Sequence, residues 1–156
     1  MYRQTQWLAH TKGIPFAMPA AHPFNPLSLL RLAVATDPAG EPNRYVCETI
    51  FRHVWVGGAD AADPARLADL AAALHAGRAP YLEPQAAKDR LTQHTQDAIA
   101  AGVFGVPSYA VDGRVFWGLD ALPMLRAYLD QDPALEDSRW RSVADVAYGI
   151  ARRKSP

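Results

Sequence analysis

Residues 102–120 constrain the fold of this chain more than any other part of its sequence. Ser108–Val111 and Arg114–Trp117 are two short runs rich in aromatic and β-branched residues. Asp112-Gly113 separates them, and this pair suits a type I′ turn, which needs positive φ at both central positions. The segment therefore predicts an antiparallel β-hairpin over residues 108–117.

The residues on either side of this hairpin predict a helix before it and a helix after it. Gly102 follows a long helical pattern and suits the left-handed position beyond a helix end. Val106-Pro107 leads into the first strand. Gly118-Leu119-Asp120 leads into a second helical pattern, for which Asp120 is the predicted N-cap. The predicted order is helix, Val-Pro, strand, tight turn, strand, helix.

The composition excludes several classes of function. Sixteen basic and sixteen acidic residues cancel, so nothing suggests a general attraction to nucleic acid or to an anionic membrane. The one cysteine, Cys47, excludes an internal disulfide and a Cys-x-x-Cys redox pair. The sequence opens without a basic and apolar leader, and no apolar run approaches the ~20 residues of a membrane span. We therefore expect a cytoplasmic protein.

Prolines and glycines divide the rest of the chain into predicted helices. Asn43 is the expected N-cap of one of them, and Asp63-Pro64 is expected to start the next. Phe51 is among the residues that the helical spacing directs toward a core. The predicted helices span residues 1–12, 26–35, 44–56, 64–77, 84–101, 121–130 and about 138–152.

Two motifs carry a resemblance to a known family. Gly102-Val103-Phe104-Gly105-Val106-Pro107 and Phe116-Trp117-Gly118-Leu119-Asp120 resemble the 2-hydroxychromene-2-carboxylate isomerase family. That family is related to kappa-class glutathione transferases and to DsbA-like proteins of the thioredoxin superfamily. The resemblance is sharpest over residues 88–125. It implies an α/β, thioredoxin-like (DsbA-like) fold with a large all-helical insertion, mostly helical with the one β-hairpin.

The resemblance also implies a division of the chain. Residues 1–82 correspond to the helical insertion, residues 83–131 to the C-terminal half of the thioredoxin-like domain, and residues 132–156 to a tail helix. The family's opening strand-helix-strand unit finds no counterpart here, so we expect an N-terminally truncated version of the fold. An edge of the hairpin would then be uncovered, which invites pairing with another chain, a homodimer included.

The resemblance implies a glutathione site around the hairpin. In the family the proline matching Pro107 is cis, and the backbone of the residue matching Val106 pairs with the cysteinyl part of glutathione. Leu119 and Asp120 match the residues that hold the γ-glutamyl end, where N–H groups meet a carboxylate and an aspartate meets the ammonium. The plainer alternatives are a trans proline that opens a strand and an aspartate that only caps a helix.

The sequence is less specific about the roles of other residues. Phe104 and Trp117 are candidates for the wall of an aromatic-substrate pocket, against the alternative of core packing. The family's catalytic serine belongs to the unit without a counterpart here, and neither Ser28 nor Ser108 occupies a matching position. We therefore name no catalytic residue. The five histidines show no metal-ligand spacing with one another or with Cys47.

The sequence is compatible with two functions. By resemblance, the chain is a glutathione-dependent isomerase that interconverts cis and trans aromatic unsaturated pyruvates through a glutathione adduct. The alternative is a non-catalytic, truncated thioredoxin-like protein that binds glutathione weakly or binds another protein chain. Disulfide exchange of the DsbA type is a poor third reading, because it needs a second cysteine.

Overall fold

A computed structural model describes residues 2–143 and Val146 of the chain. The chain divides into two compact units, Met1–Gln96 and Asp97–Pro156, and each is described by itself. The subdomain boundaries near residues 82 and 131 derive from the family resemblance rather than from chain packing, and they stay predictions.

The first unit is built from helices. Their bounds agree with the predicted ones to within one or two residues at most ends. The helices are α1 (Tyr2–Thr11), α2 (Leu27–Val34), α3 (Arg44–Trp55), α4 (Pro64–His75) and α5 (Pro84–Ala100), the last of which ends in the second unit.

Side-chain caps explain where two of these helices, α3 and α4, begin. The Asn43 side chain accepts a hydrogen bond from the Val46 N–H at 3.1 Å, and α3 starts at the next residue, as predicted. The Asp63 side chain accepts one from the Arg66 N–H at 2.9 Å, which fixes the start of α4. Helix α2 begins at Leu27, one residue later than expected, and its N-cap residue Pro26 makes no side-chain cap bond, although the Asn25 side chain accepts a hydrogen bond from the Leu27 N–H at 3.0 Å.

The core of the first unit lies where α2, α3 and α4 meet. One of its clusters consists of the buried residues Leu29, Val54, Ala61 and Leu70, and a second contains Val34, Ala35 and Ala87. Half-buried apolar side chains pack against each cluster: Phe24, Leu32, Ile50, Trp55, Leu67 and Leu74 against the first, and Leu82 and Leu91 against the second.

Phe51 does not belong to this core, and its predicted burial is wrong. Val46 and Val54 are buried and Ile50 lies between them at four-residue spacing, so these three share one face of α3. Phe51 follows Ile50 by one residue, which places it about 100° around the helix. Its side chain is consequently 61% exposed.

The second unit contains the predicted hairpin with the predicted bounds. Strand β1 (Ser108–Val111) pairs antiparallel with β2 (Arg114–Trp117), with Ser108 opposite Trp117. Asp112 and Gly113 have φ values of 49° and 73°, as the turn type requires. Within residues 2–143, β1 and β2 are the only strands.

Helices follow the hairpin. A 3-10 turn (Leu119–Ala121) precedes α6 (Leu122–Leu129), and a second 3-10 turn (Pro133–Glu136) precedes α7 (Ser138–Ser142). The remainder of the predicted tail helix falls almost wholly outside the described residues.

Helix α6 covers one face of the hairpin. Phe116 is 4% exposed, and its ring centroid lies 5.5 Å from that of Tyr128 on α6. The Tyr128 hydroxyl donates a hydrogen bond to the Asp112 carboxylate at 3.0 Å, and the Arg114 guanidinium lies 4.8 Å above the Tyr128 ring. Because neighbouring residues of a strand point to opposite faces, Trp117 lies on the other face.

Candidate functional site

The loop before β1 presents the backbone of Val106. The Val106–Pro107 peptide bond is cis, as predicted. Beside it, the Ser108 hydroxyl donates to the Gly105 carbonyl at 2.6 Å, which closes the loop on itself. Val106 is 88% exposed, and its backbone N–H and C=O have no hydrogen-bond partner among the described residues. These two groups are therefore available to a ligand.

A single backbone hydrogen bond joins this loop to the chain that follows β2. The Gly118 N–H donates to the Pro107 carbonyl at 2.9 Å, which extends the hairpin ladder by one pair. Because of this bond, Val106 and Pro107 lie beside the start of the Leu119–Ala121 turn. The four residues predicted to bind glutathione thus belong to one local structure.

Asp120 is not the N-cap of α6, which corrects the sequence-based prediction. Its position lies inside the 3-10 turn, and α6 begins two residues later. The Ala121 and Leu122 N–H groups bond to the Gly118 and Leu119 carbonyls, so they do not need a side-chain cap. The Asp120 carboxylate is consequently left exposed and without a hydrogen-bond partner among the described residues.

The turn brings donors and an acceptor together. The N–H groups of Leu119 and Asp120 have no partner in the described part of the chain, because the bonds of the turn start at Gly118. The Asp120 carboxylate reaches back over the Gly118 Cα, where a side chain would collide with it. Free N–H groups beside a free carboxylate are complementary to the carboxylate and ammonium of an amino-acid group.

Phe104 and Trp117 contact each other at this site. Their ring centroids lie 5.0 Å apart at an angle of 51°. The Trp117 indole lies so close to Gly105 that a Cβ there would stand 2.5 Å from its Nε1 atom. Phe104 is 74% exposed and Trp117 51%, so neither is a core residue, whereas the neighbouring Phe116 is. The two exposed rings form an aromatic pair that can stack against a flat ligand.

The other candidate residues have structural roles. Ser108 opens β1 and is already bonded to Gly105, so its hydroxyl is held in place. Cys47 is half-buried, with its sulfur 3.9 Å from the Pro42 carbonyl oxygen. In the described part of the chain, no three His, Cys, Asp or Glu side chains are grouped to hold a metal ion.

Sequence reasoning missed an aromatic groove in the first unit, with a volume of about 740 Å³. Phe16 stacks on Trp55, with ring centroids 5.7 Å apart and planes 13° apart, and the Tyr2 hydroxyl lies 3.0 Å from His22 Nδ1. Phe51 also lines this groove, which accounts for its exposure. The signal that was available is the concentration of aromatic rings in the proline-rich loop before α2.

The chain is similar to known proteins of one family. A family model described as DSBA-like thioredoxin domain matches residues 1–130. A solved structure of 2-hydroxychromene-2-carboxylate isomerase is 25% identical, with a TM-score of 0.61, over 94% of this chain and 69% of that one. No curated protein matches the chain. None of the helices in the described residues has the length and apolar character that a membrane span requires.

Proposed function

We propose that this chain, which belongs to the DSBA-like thioredoxin domain family, is a glutathione-dependent isomerase of the 2-hydroxychromene-2-carboxylate isomerase type. The observation that carries the proposal is the hydrogen bond from Gly118 to Pro107, which brings Val106 beside Leu119 and Asp120. The similarity to a solved isomerase of that name supports the reaction type.

Glutathione would bind along the hairpin in an extended form. Its cysteinyl backbone would exchange hydrogen bonds with the unpaired N–H and C=O of Val106. The carboxylate of its γ-glutamyl end would accept from the Leu119 and Asp120 N–H groups, and its ammonium would pair with the Asp120 carboxylate. Every protein group used here is free in the described residues.

The chemistry would be a reversible addition. The glutathione thiolate adds to the carbon–carbon double bond of an aromatic unsaturated pyruvate, which forms a C–S bond, shifts the electron pair of the double bond onto the pyruvate carbonyl as an enolate, and leaves a single bond between the two carbons. Rotation about that single bond follows. The enolate then re-forms the double bond in the other geometry as the C–S bond breaks, and the thiolate leaves with the electron pair of that bond. The aromatic ring of the substrate would lie on Phe104 and Trp117, whose exposed faces are available for stacking.

We assign no catalytic residue among the described residues, and the role of the hairpin is to bind and orient glutathione and substrate. The test is an absorbance assay with 2-hydroxychromene-2-carboxylate, run with and without glutathione. We expect turnover only in the presence of glutathione, and a loss of rate when Trp117→Leu removes the stacking surface. Equal rates with and without glutathione would contradict the proposal.

One observation favours a second candidate, non-catalytic binding of another chain. Pro107 and Gly118 form a hydrogen-bonded pair, so the next pair, Ser108 and Trp117, directs its backbone groups outward. The same alternation directs those of Ala110 outward, and β1 has no further strand beside it in the described residues. Glutathione binding without turnover in the assay, together with a concentration-dependent dimer in sedimentation, would favour this candidate.

A further inference from the structure

A second cavity in the first unit combines an apolar floor with basic side chains. It has a volume of about 500 Å³, within the usual range for small-molecule sites. Residues of α2, the end of α4 and the start of α5 surround it. The residues that line it are Arg31, Leu32, Ala35, Ala71, His75, Pro80, Leu82, Pro84, Gln85, Ala87 and Lys88.

The floor of this cavity belongs to the core. Ala35 and Ala87 are 7% and 2% exposed, and Leu82 packs against the core cluster that they form with Val34. The Tyr81 N–H donates to the Ala35 carbonyl at 2.9 Å, which holds the segment before α5 against the end of α2. The floor is therefore fixed in place before any ligand arrives, and it offers an apolar surface to bury.

Two cationic side chains, those of Arg31 and Lys88, stand at the walls of the cavity together with a histidine. Arg31, His75 and Lys88 all line it, and none of the described lining residues is acidic. The side chains of these three residues make no hydrogen bond or ion pair with another described residue. The Nε atom of Arg31 is buried and has no hydrogen-bond partner in the part of the chain that the structure describes. A buried donor without an acceptor is costly, and an anion in the adjoining cavity would supply one.

We propose that this cavity binds a small amphiphilic carboxylate, whose apolar body lies on the alanine and leucine floor and whose carboxylate faces Arg31 and Lys88. Charge complementarity selects the anion, because two unpaired cations stand at the cavity without a counter-charge. The apolar floor selects a body of several carbons over a bare inorganic ion. The site uses none of the hairpin residues, so it is independent of the glutathione proposal.

The test is a calorimetric titration of octanoate, below its micellar concentration, into the full chain. Octanamide has the same apolar chain without the charge, and inorganic phosphate is an anion without an apolar chain, so the two serve as controls. We expect octanoate to bind saturably and octanamide to bind at least about tenfold more weakly, as the loss of a charge-assisted hydrogen bond predicts. Arg31→Met and Lys88→Met should each weaken octanoate binding by about tenfold. Lys12→Met, which removes an exposed charge elsewhere in the same unit, should leave it unchanged.

Several results would overturn the proposal. Equal binding of octanoate and octanamide would mean that the cavity selects only apolar character. Phosphate binding as tight as that of octanoate would mean that the floor contributes nothing. Absence of octanoate binding to a chain with an intact helical circular dichroism spectrum would remove the site altogether. Lys88 is exposed, so Lys88→Met keeps the test decisive if Arg31→Met fails to fold.

Discussion

The Gly118 N–H donates to the Pro107 carbonyl at 2.9 Å, one step beyond the last residue pair of the hairpin. This bond joins two segments that are eleven positions apart in the sequence, and both are candidates for ligand binding. One segment carries the unpaired backbone of Val106, and the other carries the unpaired N–H groups and carboxylate of Asp120. The hairpin therefore acts as a spacer that sets the distance between them.

Gly118 should be the least replaceable glycine of the hairpin. Its φ of 94° and ψ of 164° lie in a region that is essentially restricted to glycine. We expect Gly118→Ala to lower the free energy of unfolding by about 2–3 kcal/mol in urea denaturation. Gly102→Ala is the control, because Gly102 has a φ of 77° with open space around it and should cost only about 1 kcal/mol. An equal loss in the two variants would contradict the special role of Gly118.

Gly105→Ala should displace the Trp117 indole. The new Cβ would stand 2.5 Å from Nε1, closer than two such atoms can approach, and the exposed ring can swing away. Proton NMR should then show one shifted indole N–H signal, with those of Trp7, Trp55 and Trp140 in place. In a Trp117→Leu background the same substitution should cost no further stability. A Trp117 signal that does not move would show that the indole does not lie on Gly105.

Removal of the Asp120 side chain should leave stability almost unchanged, because that side chain caps no helix. We expect Asp120→Ala to change the free energy of unfolding by less than about 0.5 kcal/mol. Asn43→Ala removes a true cap at the start of α3 and should cost about 1 kcal/mol. Both values follow from chemical denaturation of the two variants. If Asp120→Ala lowers the free energy of unfolding as much as Asn43→Ala does, the Asp120 side chain acts as a cap after all.

The Tyr128 hydroxyl should lose its proton at a higher pH than an ordinary tyrosine does. Its hydrogen bond to the Asp112 carboxylate, then partial desolvation and the charge of that carboxylate, raise the pKa of Tyr128 above its ordinary value of 10.0. A raised pKa in the folded state stabilises the fold at pH values below 10, and the contribution is lost as the pH rises through the folded pKa. Asp112→Asn removes the negative charge that raises the pKa of Tyr128, so that pKa should fall in a phenolate absorbance titration. The substitution keeps a hydrogen-bond acceptor and tolerates the positive φ of the turn. Tyr128→Phe identifies the transition.

Local chemistry accounts for what the sequence predicted well. Asp112-Gly113 defined the hairpin without reference to any distant residue, and Asn43 and Asp63 defined the starts of α3 and α4 in the same way. Each of these features depends on side chains and backbone within four residues of one another.

Features that depend on packing or on competing local bonds were not predictable. Aspartate is a residue type that often caps helices, but at Asp120 the backbone hydrogen bonds of a 3-10 turn take the place of a side-chain cap bond. Phe51 has helical spacing typical of a core position, but spacing does not say which faces of α3 are covered. Trp117 at the end of β2 contacts Gly105 in the loop before β1. The residues adjacent to either one in the sequence do not indicate this contact.

The measurement that tests the central claim most directly is a calorimetric titration of glutathione into the full chain. We expect saturable binding at one site, weakened about tenfold or more by Asp120→Ala, because the ammonium of the ligand then loses its partner. Asp69→Ala, which removes an exposed carboxylate from α4, should bind glutathione as the unaltered chain does. Absence of binding to the folded chain, or equal affinity of Asp120→Ala, would contradict the claim that the bond between Pro107 and Gly118 assembles a glutathione site.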